Sequence, residues 1–234
     1  MITLLVTREE FDREKLQVEG DRYRHLFRAR RVAAGERLRL TDGAGRARWA
    51  EVTAVDRSAG TVAAGEPAPT NEPPLHLELF CAPPKPERAA WLVEKATEVG
   101  VSAIRFVHSE RAPRQLTANA VARLARVAAA AVEQCHRART PQVSGAHDWA
   151  ELPALLARSE VRYVLDPRGP SGAPAAHESQ ASAALAVGPE GGWSPEELAA
   201  LERAGCRPFR LGARVLRIET AAVVGAALLL AGRD

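Results

Sequence analysis

The chain has only three cysteines in 234 residues. Cys81, Cys135 and Cys206 stand far apart and form no CxxC pair, which excludes a disulfide framework and a cysteine-rich zinc site. Long hydrophobic runs are missing too. The opening MITLLVTREEFDREK turns acidic within a few residues, which does not fit a signal peptide. The apolar run Ala221–Ala231 is far shorter than the roughly 20 residues of a membrane helix. Familiar fingerprints are also absent: no GxGxxG after a strand, no GxxxxGK[ST], no HExxH, no GxSxG, no EF-hand loop. These absences leave a soluble protein of a reducing compartment, expected in the cytoplasm, with no membrane span and no metal.

What is present is globular in character. Hydrophobic residues make up 46% and charged residues 26%, with a net charge of +3. This excludes whole-chain disorder and leaves room for one large or two small domains. Lys15, Lys85 and Lys95 are the only lysines among 32 basic residues; the rest are arginine. GC-rich coding is the plain explanation, since Ala, Gly and Pro are abundant as well. Arginine is also the better residue for gripping phosphates and stacking on bases, so placement matters more than number. Arg22, Arg24, Arg28, Arg30, Arg31, Arg37 and Arg39 meet one acid, Glu36. Arg105, Arg111, Arg114, Arg123, Arg126, Arg137 and Arg139 meet only Glu110 and Glu133. Arg207, Arg210, Arg214 and Arg217 precede any acid up to Glu219. A solvated helix face explains any one stripe; together they fit the electrostatic footprint of a nucleic-acid binder.

Two domains are expected. Residues 1–66 read as a small β-rich module: ERLRLTDG and ARWAEVTAV alternate apolar with polar, DGAG joins them as a hairpin, and His25–Arg31 reads as a short helix. The Pro-rich GEPAPTNEPP places a linker at 67–74. Residues 75–234 alternate strand and helix. Strands are predicted at 75–82, 102–107, 161–165 and 183–187, with helices at 86–99, 116–137 and 194–204, the last capped by Ser-Pro-Glu-Glu. This pattern predicts an α/β fold with a mostly parallel sheet and helices on both faces.

Two glycine-bearing loops carry the chemistry. Val187-Gly188-Pro189-Glu190-Gly191-Gly192-Trp193 joins a buried strand to a capped helix, at the strand end where α/β proteins bind ligands. An ordinary strand-to-helix turn would read the same way. Leu211-Gly212-Ala213-Arg214-Val215-Leu216-Arg217-Ile218-Glu219-Thr220-Ala221 leads into a helix that is apolar all round and therefore buried in a core or an interface. Capping is the plain role of Glu219 and Thr220.

VGPEGGWSPEE followed by LGARVLRIETAA resembles the signature pair of the RsmE family, bacterial 16S ribosomal RNA uracil-N3 methyltransferases of the SPOUT class. EKATEVGVSAI, Ser109-Glu110-Arg111 and AVEQCHRARTPQV are similar to further family segments, so the resemblance covers nearly the whole chain. His25 and the LRLTDG hairpin resemble the family's N-terminal PUA-like β-barrel module. Two positions depart from it. The family's Val-Leu-Arg stands here as Ala29-Arg30-Arg31, and ITLLVT lacks the usual arginine.

The resemblance implies a C-terminal trefoil knot whose two loops enclose S-adenosylmethionine through Val187, Gly188, Pro189, Glu190, Gly191, Leu211, Gly212, Val215, Leu216, Ile218, Glu219, Thr220 and Ala221. Leu165, ending a strand beside them, would add apolar contact to the adenine. It also implies a homodimer through the knot domain and 16S rRNA or the small ribosomal subunit as partner. Donors at the uracil oxygens would stabilise charge left by the N3 proton; Arg137 and Gln134 are candidates, and Arg217 is another. Glu133, Glu190 and Glu219 are candidate bases, with water as the alternative. Arg22, Arg24, His25, Arg28, Arg31 and Arg111 are candidate RNA contacts. A SPOUT ribose 2′-O-methyltransferase and a non-catalytic RNA-binding assembly factor remain as alternatives.

Overall fold

A computed structural model describes residues 1–112, 114–172 and 180–231. The chain forms two compact units: one of Met1–Glu72 with Val132–Thr140, the other of Pro73–Ala131 with Pro141–Asp234.

The first unit is built on a five-stranded sheet in the order β1-β3-β4-β5-β2. Its strands are β1 (Thr3–Leu5), β2 (Lys15–Glu19), β3 (Arg37–Thr41), β4 (Ala47–Val55) and β5 (Ala59–Pro67). β1 runs parallel to β3 and the other pairs are antiparallel. The predicted hairpin is β3–β4, and Asp42 Oδ1 closes its turn by accepting from the amides of Ala44 and Arg46. Helix α1 (Arg8–Phe11) starts in a capping box between Thr7 and Glu10. Where the sequence predicts an ordinary helix at His25–Arg31, α2 (Gly20–Tyr23) continues into a π-helical turn at Arg24–Ala29. That turn buries Leu26 and Phe27 on the sheet.

The tie from residues 132–140 is unforeseen by the sequence reading. Glu133 Oε1 accepts from the amide of Leu5 at 2.8 Å. The Ala138 carbonyl accepts from Thr41 Oγ1 and from the amide of Gly45. Arg39, almost fully buried, donates to the carbonyls of His136 and Pro69.

The second unit carries a six-stranded, all-parallel sheet in the order β11-β9-β10-β6-β7-β8. Its strands are β6 (His76–Cys81), β7 (Ala103–His108), β8 (Gln142–Asp148), β9 (Val161–Leu165), β10 (Ser182–Val187) and β11 (Arg207–Phe209). Alternation along the central strands fills two cores. Leu77, Leu79, Leu185 and Val187 face one, and Phe80, Ala184 and Ala186 face the other. On the first side pack α3 (Pro86–Glu98), α4 (Ala118–Cys135) and α7 (Ile218–Leu230); on the second, α5 (Leu152–Leu156) and α6 (Pro195–Arg203). Burial on both faces is what near-continuous apolar strands require. α4 starts two residues later than expected and ends at Cys135, where His136 turns into the left-handed region at φ 60°. The loop between β9 and β10 falls partly outside the described residues, at 173–179.

Candidate active site

A cavity of about 610 Å³ opens where β9, β10 and β11 end. That volume falls in the range for small-molecule sites, and carboxyl ends of parallel strands are where such sites form. Leu165 and Val187 reach it from the strand ends; Gly188, Pro189, Glu190 and Gly191 come from the first glycine loop. Leu211, Gly212, Val215, Leu216, Ile218 and Ala221 come from the second. The two loops singled out in the sequence therefore meet in one cavity.

Local chemistry explains how the first loop is held. Ser194 caps α6 in a box with Glu197, whose Oε2 accepts from the Ser194 amide at 2.8 Å. The other oxygen, Oε1, accepts from the amide of Glu110 at 2.8 Å. Arg111 donates to the carbonyls of Gly191 and Trp193 at 3.1 and 3.5 Å. The Ser109–Arg111 loop thus grips the turn from outside. Gly188 is there because there is no room: a β-carbon would sit 3.0 Å from the Trp193 ring. In the second loop Gly212 stands at φ +114°, a conformation that side chains rarely adopt.

The cavity also takes residues that sequence reasoning missed. Asp166, Arg168, Trp193, Phe209, Arg210 and Arg214 line it. Trp193 and Arg214 belong to the two glycine-bearing loops, and Arg210 and Arg214 to the last basic cluster; Asp166, Arg168 and Phe209 have no sequence signal beyond lying near a predicted contact. The Arg168 guanidinium, 2.8 Å from Asp166, holds the Asp166 carboxyl below its usual range. The indole Nε1 of Trp193 is buried without a hydrogen-bond partner among the described residues. Two predicted contacts do not line the cavity. Glu219 is buried and accepts from Arg88 at 3.0 Å, and Thr220 follows it in the first turn of α7.

Comparison with known proteins gives the family. The family described as "RNA methyltransferase domain" matches residues 71–230, and the one described as "RNA methyltransferase PUA domain" matches residues 18–63. A ribosomal RNA small subunit methyltransferase E from Mycobacterium bovis is 35% identical over 221 residues, covering 88% of this chain and 82% of that protein. The chain belongs to the ribosomal RNA small subunit methyltransferase E family. A Synechocystis member is 29% identical over 96% of this chain and 75% of its own. The Neisseria gonorrhoeae member, solved bound to S-adenosyl methionine, superposes with a TM-score of 0.84 at 25% identity, covering 97% of this chain and 95% of that one.

As in this methyltransferase E family, the fold is the trefoil knot of the SPOUT class with a small PUA-like module. After β11 the chain runs beside the loop that follows β9: the Arg210 amide donates to the Pro170 carbonyl, and the Gly172 amide to that of Arg210. It then returns as α7 to pack on α3, β6 and β10.

The remaining candidates fall elsewhere. Arg137, only 3% exposed, is paired with Glu72 at 2.7 Å. Burial alone would raise the Glu72 carboxyl, but hydrogen bonds from Arg137 and the amides of Ala138 and Arg139 bring it below its usual value. Glu133 holds the Leu5 amide, and Gln134 is exposed. Arg217 is exposed as the N-cap residue of α7, between two lining residues.

In the first unit Arg22 is tied to Glu10 at 2.5 Å, and this pairing with the Thr7 cap outweighs the opposing effect of burial and lowers the Glu10 carboxyl to about 2. Arg24 pairs with Asp21 on the surface, and Arg28 donates to the Arg57 carbonyl. His25, Arg30 and Arg31 are exposed. Among the described residues, no group of three or more His, Cys, Asp or Glu could hold a metal ion, and no helix is long and apolar enough to cross a membrane.

Proposed function

We propose that this protein methylates N3 of a specific uridine in 16S ribosomal RNA, using S-adenosylmethionine bound between the two glycine loops. The observation that carries the reading is the cavity at the ends of β9, β10 and β11, walled by both loops. Its residues fit that cofactor. Leu165, Val187, Leu211, Leu216, Ile218 and Ala221 offer apolar walls for an adenine, and the glycines let backbone groups approach closely. A side chain at Gly188 would crowd Trp193 and reshape the cradle. When bound, the cofactor supplies a methyl group on a sulfonium.

The transfer forms a C–N3 bond, breaks the C–S bond and releases the N3 proton. Of the three carboxylates considered as bases, Glu190 alone lines the cavity; Glu133 and Glu219 are committed to Leu5 and Arg88. Glu190 or a water beside it is therefore assigned to receive the proton. Arg217, exposed beside the second loop, is the better placed donor for the uracil oxygens, because the Arg137 guanidinium is buried against Glu72. Arg24, His25, Arg28 and Arg31, with Arg30, are exposed and are assigned to RNA phosphates. A target in structured RNA must be unpaired or flipped out to react. Dimer formation through the knot domain and a cytoplasmic location complete the reading.

Primer extension tests it. N3-methylation blocks the pairing edge, so reverse transcriptase is expected to stop one nucleotide before a single uridine of treated small-subunit RNA. Read-through at every uridine overturns the proposal; a ribose methyl would give read-through, and no S-adenosylmethionine binding would mark a non-catalytic factor.

A further inference from the structure

The last basic cluster of the sequence has no role in the chemistry above beyond Arg217. The structure brings two of its members, Arg210 and Arg214, to the wall of the cavity. Four arginines and two acids line that cavity: Arg111, Arg168, Arg210 and Arg214 against Asp166 and Glu190. The charges do not cancel pairwise. Arg168 is taken by Asp166, Arg111 by the loop carbonyls, and Glu190 lies 4.0 Å from Arg114. The guanidinium groups of Arg210 and Arg214 are left exposed, with no acid and no hydrogen-bond acceptor among the described residues.

On the reading above, the small molecule in this cavity bears a sulfonium and an ammonium against one carboxylate, a net positive charge. Two uncompensated guanidinium groups beside it repel that charge rather than hold it. They call for an anion that arrives with the substrate. The substrate is RNA, whose phosphodiesters carry one negative charge each, and the planar fork of arginine matches phosphate oxygens better than an ammonium does.

We infer that Arg210 and Arg214 form a phosphodiester clamp at the mouth of the cavity, gripping the RNA backbone beside the target uridine. The inference rests on the proposed function and adds an RNA-binding surface on the methyltransferase unit itself, beyond the basic residues assigned on the PUA-like unit. Clamping there serves the reaction by holding N3 at the donor rather than by adding sequence readout.

The test uses the full chain with R210A, R214A and R214E, with R158A as a distant surface control. Two titrations are run on each: S-adenosylmethionine followed by tryptophan fluorescence, and a small-subunit RNA fragment across a salt series. Each alanine variant is expected to weaken RNA binding several-fold at low salt. The slope of log affinity against log salt should become shallower by about one per arginine removed. R214E weakens RNA further, and affinity for S-adenosylmethionine is unchanged or tighter in all three. Weaker S-adenosylmethionine binding with an unchanged RNA slope overturns the clamp and assigns the guanidinium to the cofactor's carboxylate. No change in either titration overturns it as well. Failure of the unmodified chain to bind S-adenosylmethionine defeats the proposed function instead, and the RNA slopes still read the clamp.

Discussion

Gly188 shows how tightly a single residue can be prescribed. Its place against the Trp193 ring leaves 3.0 Å for a β-carbon, so an alanine must push the indole or its own loop by a few tenths of an ångström. Trp193 is backed by Trp149, with ring centroids 5.4 Å apart, and has little freedom to retreat. Gly188→Ala is expected to lower affinity for S-adenosylmethionine by about tenfold (~1.4 kcal/mol), with the fold retained. Titration followed by tryptophan fluorescence checks this, and unchanged affinity would refute it. The sequence showed a glycine here but not the ring that demands it, because Gly188 and Trp193 meet through the fold of the turn. The same limit hid the partners of Arg111 and Arg137. Both read as surface charge or functional arginines in a linear string, yet one holds loop carbonyls and the other a carboxylate 65 residues away.

Among elements, those specified by neighbours in sequence were legible. The β3–β4 hairpin follows from alternation around a glycine-rich turn, and the start of α6 from Ser-Pro-Glu-Glu. β8 and β11 were not foreseen. β8 is an edge strand of mixed polarity, and β11 has only three residues, so neither carries a periodic signal of its own. The start of α6 also does more than local reading suggests. Glu197, 2% exposed, accepts a backbone amide on each oxygen, Ser194 on one side and Glu110 on the other. Glu197→Gln replaces one acceptor with a donor and strands an amide. The expected cost is ~1–3 kcal/mol, read as a lower midpoint in urea unfolding, together with weaker S-adenosylmethionine binding as the Ser109–Arg111 loop loosens. A midpoint equal to that of the unaltered protein would exclude the role.

At the scale of the whole molecule, the apolar helix singled out in the sequence is only partly used by its own chain. Ala222, Ala226, Leu229 and Leu230 of α7 are buried in the core, while Val224 and Leu228 stand 38% and 43% exposed. Spaced four residues apart, the two share one face of the helix, and the proposed dimer would cover them. Two copies meeting through that face would account for the all-round apolar pattern. Light scattering is expected to give twice the chain mass, and Val224→Glu with Leu228→Glu to give a folded monomer; a monomer from the unaltered protein at micromolar concentration would refute the pairing.

The tie of Val132–Thr140 to the first seventy-odd residues has a consequence for the order in which the protein is made. Glu72, Arg39 and Leu5 emerge from the ribosome well before Arg137, His136 and Glu133, their partners. At ~5–20 residues per second, the N-terminal sheet waits several seconds for the segment that completes it. Until then the carboxylate of Glu72 and the guanidinium of Arg39 lack those acceptors and donors. Vectorial synthesis therefore delivers the PUA-like unit unfinished, and its last strut arrives only with the end of α4.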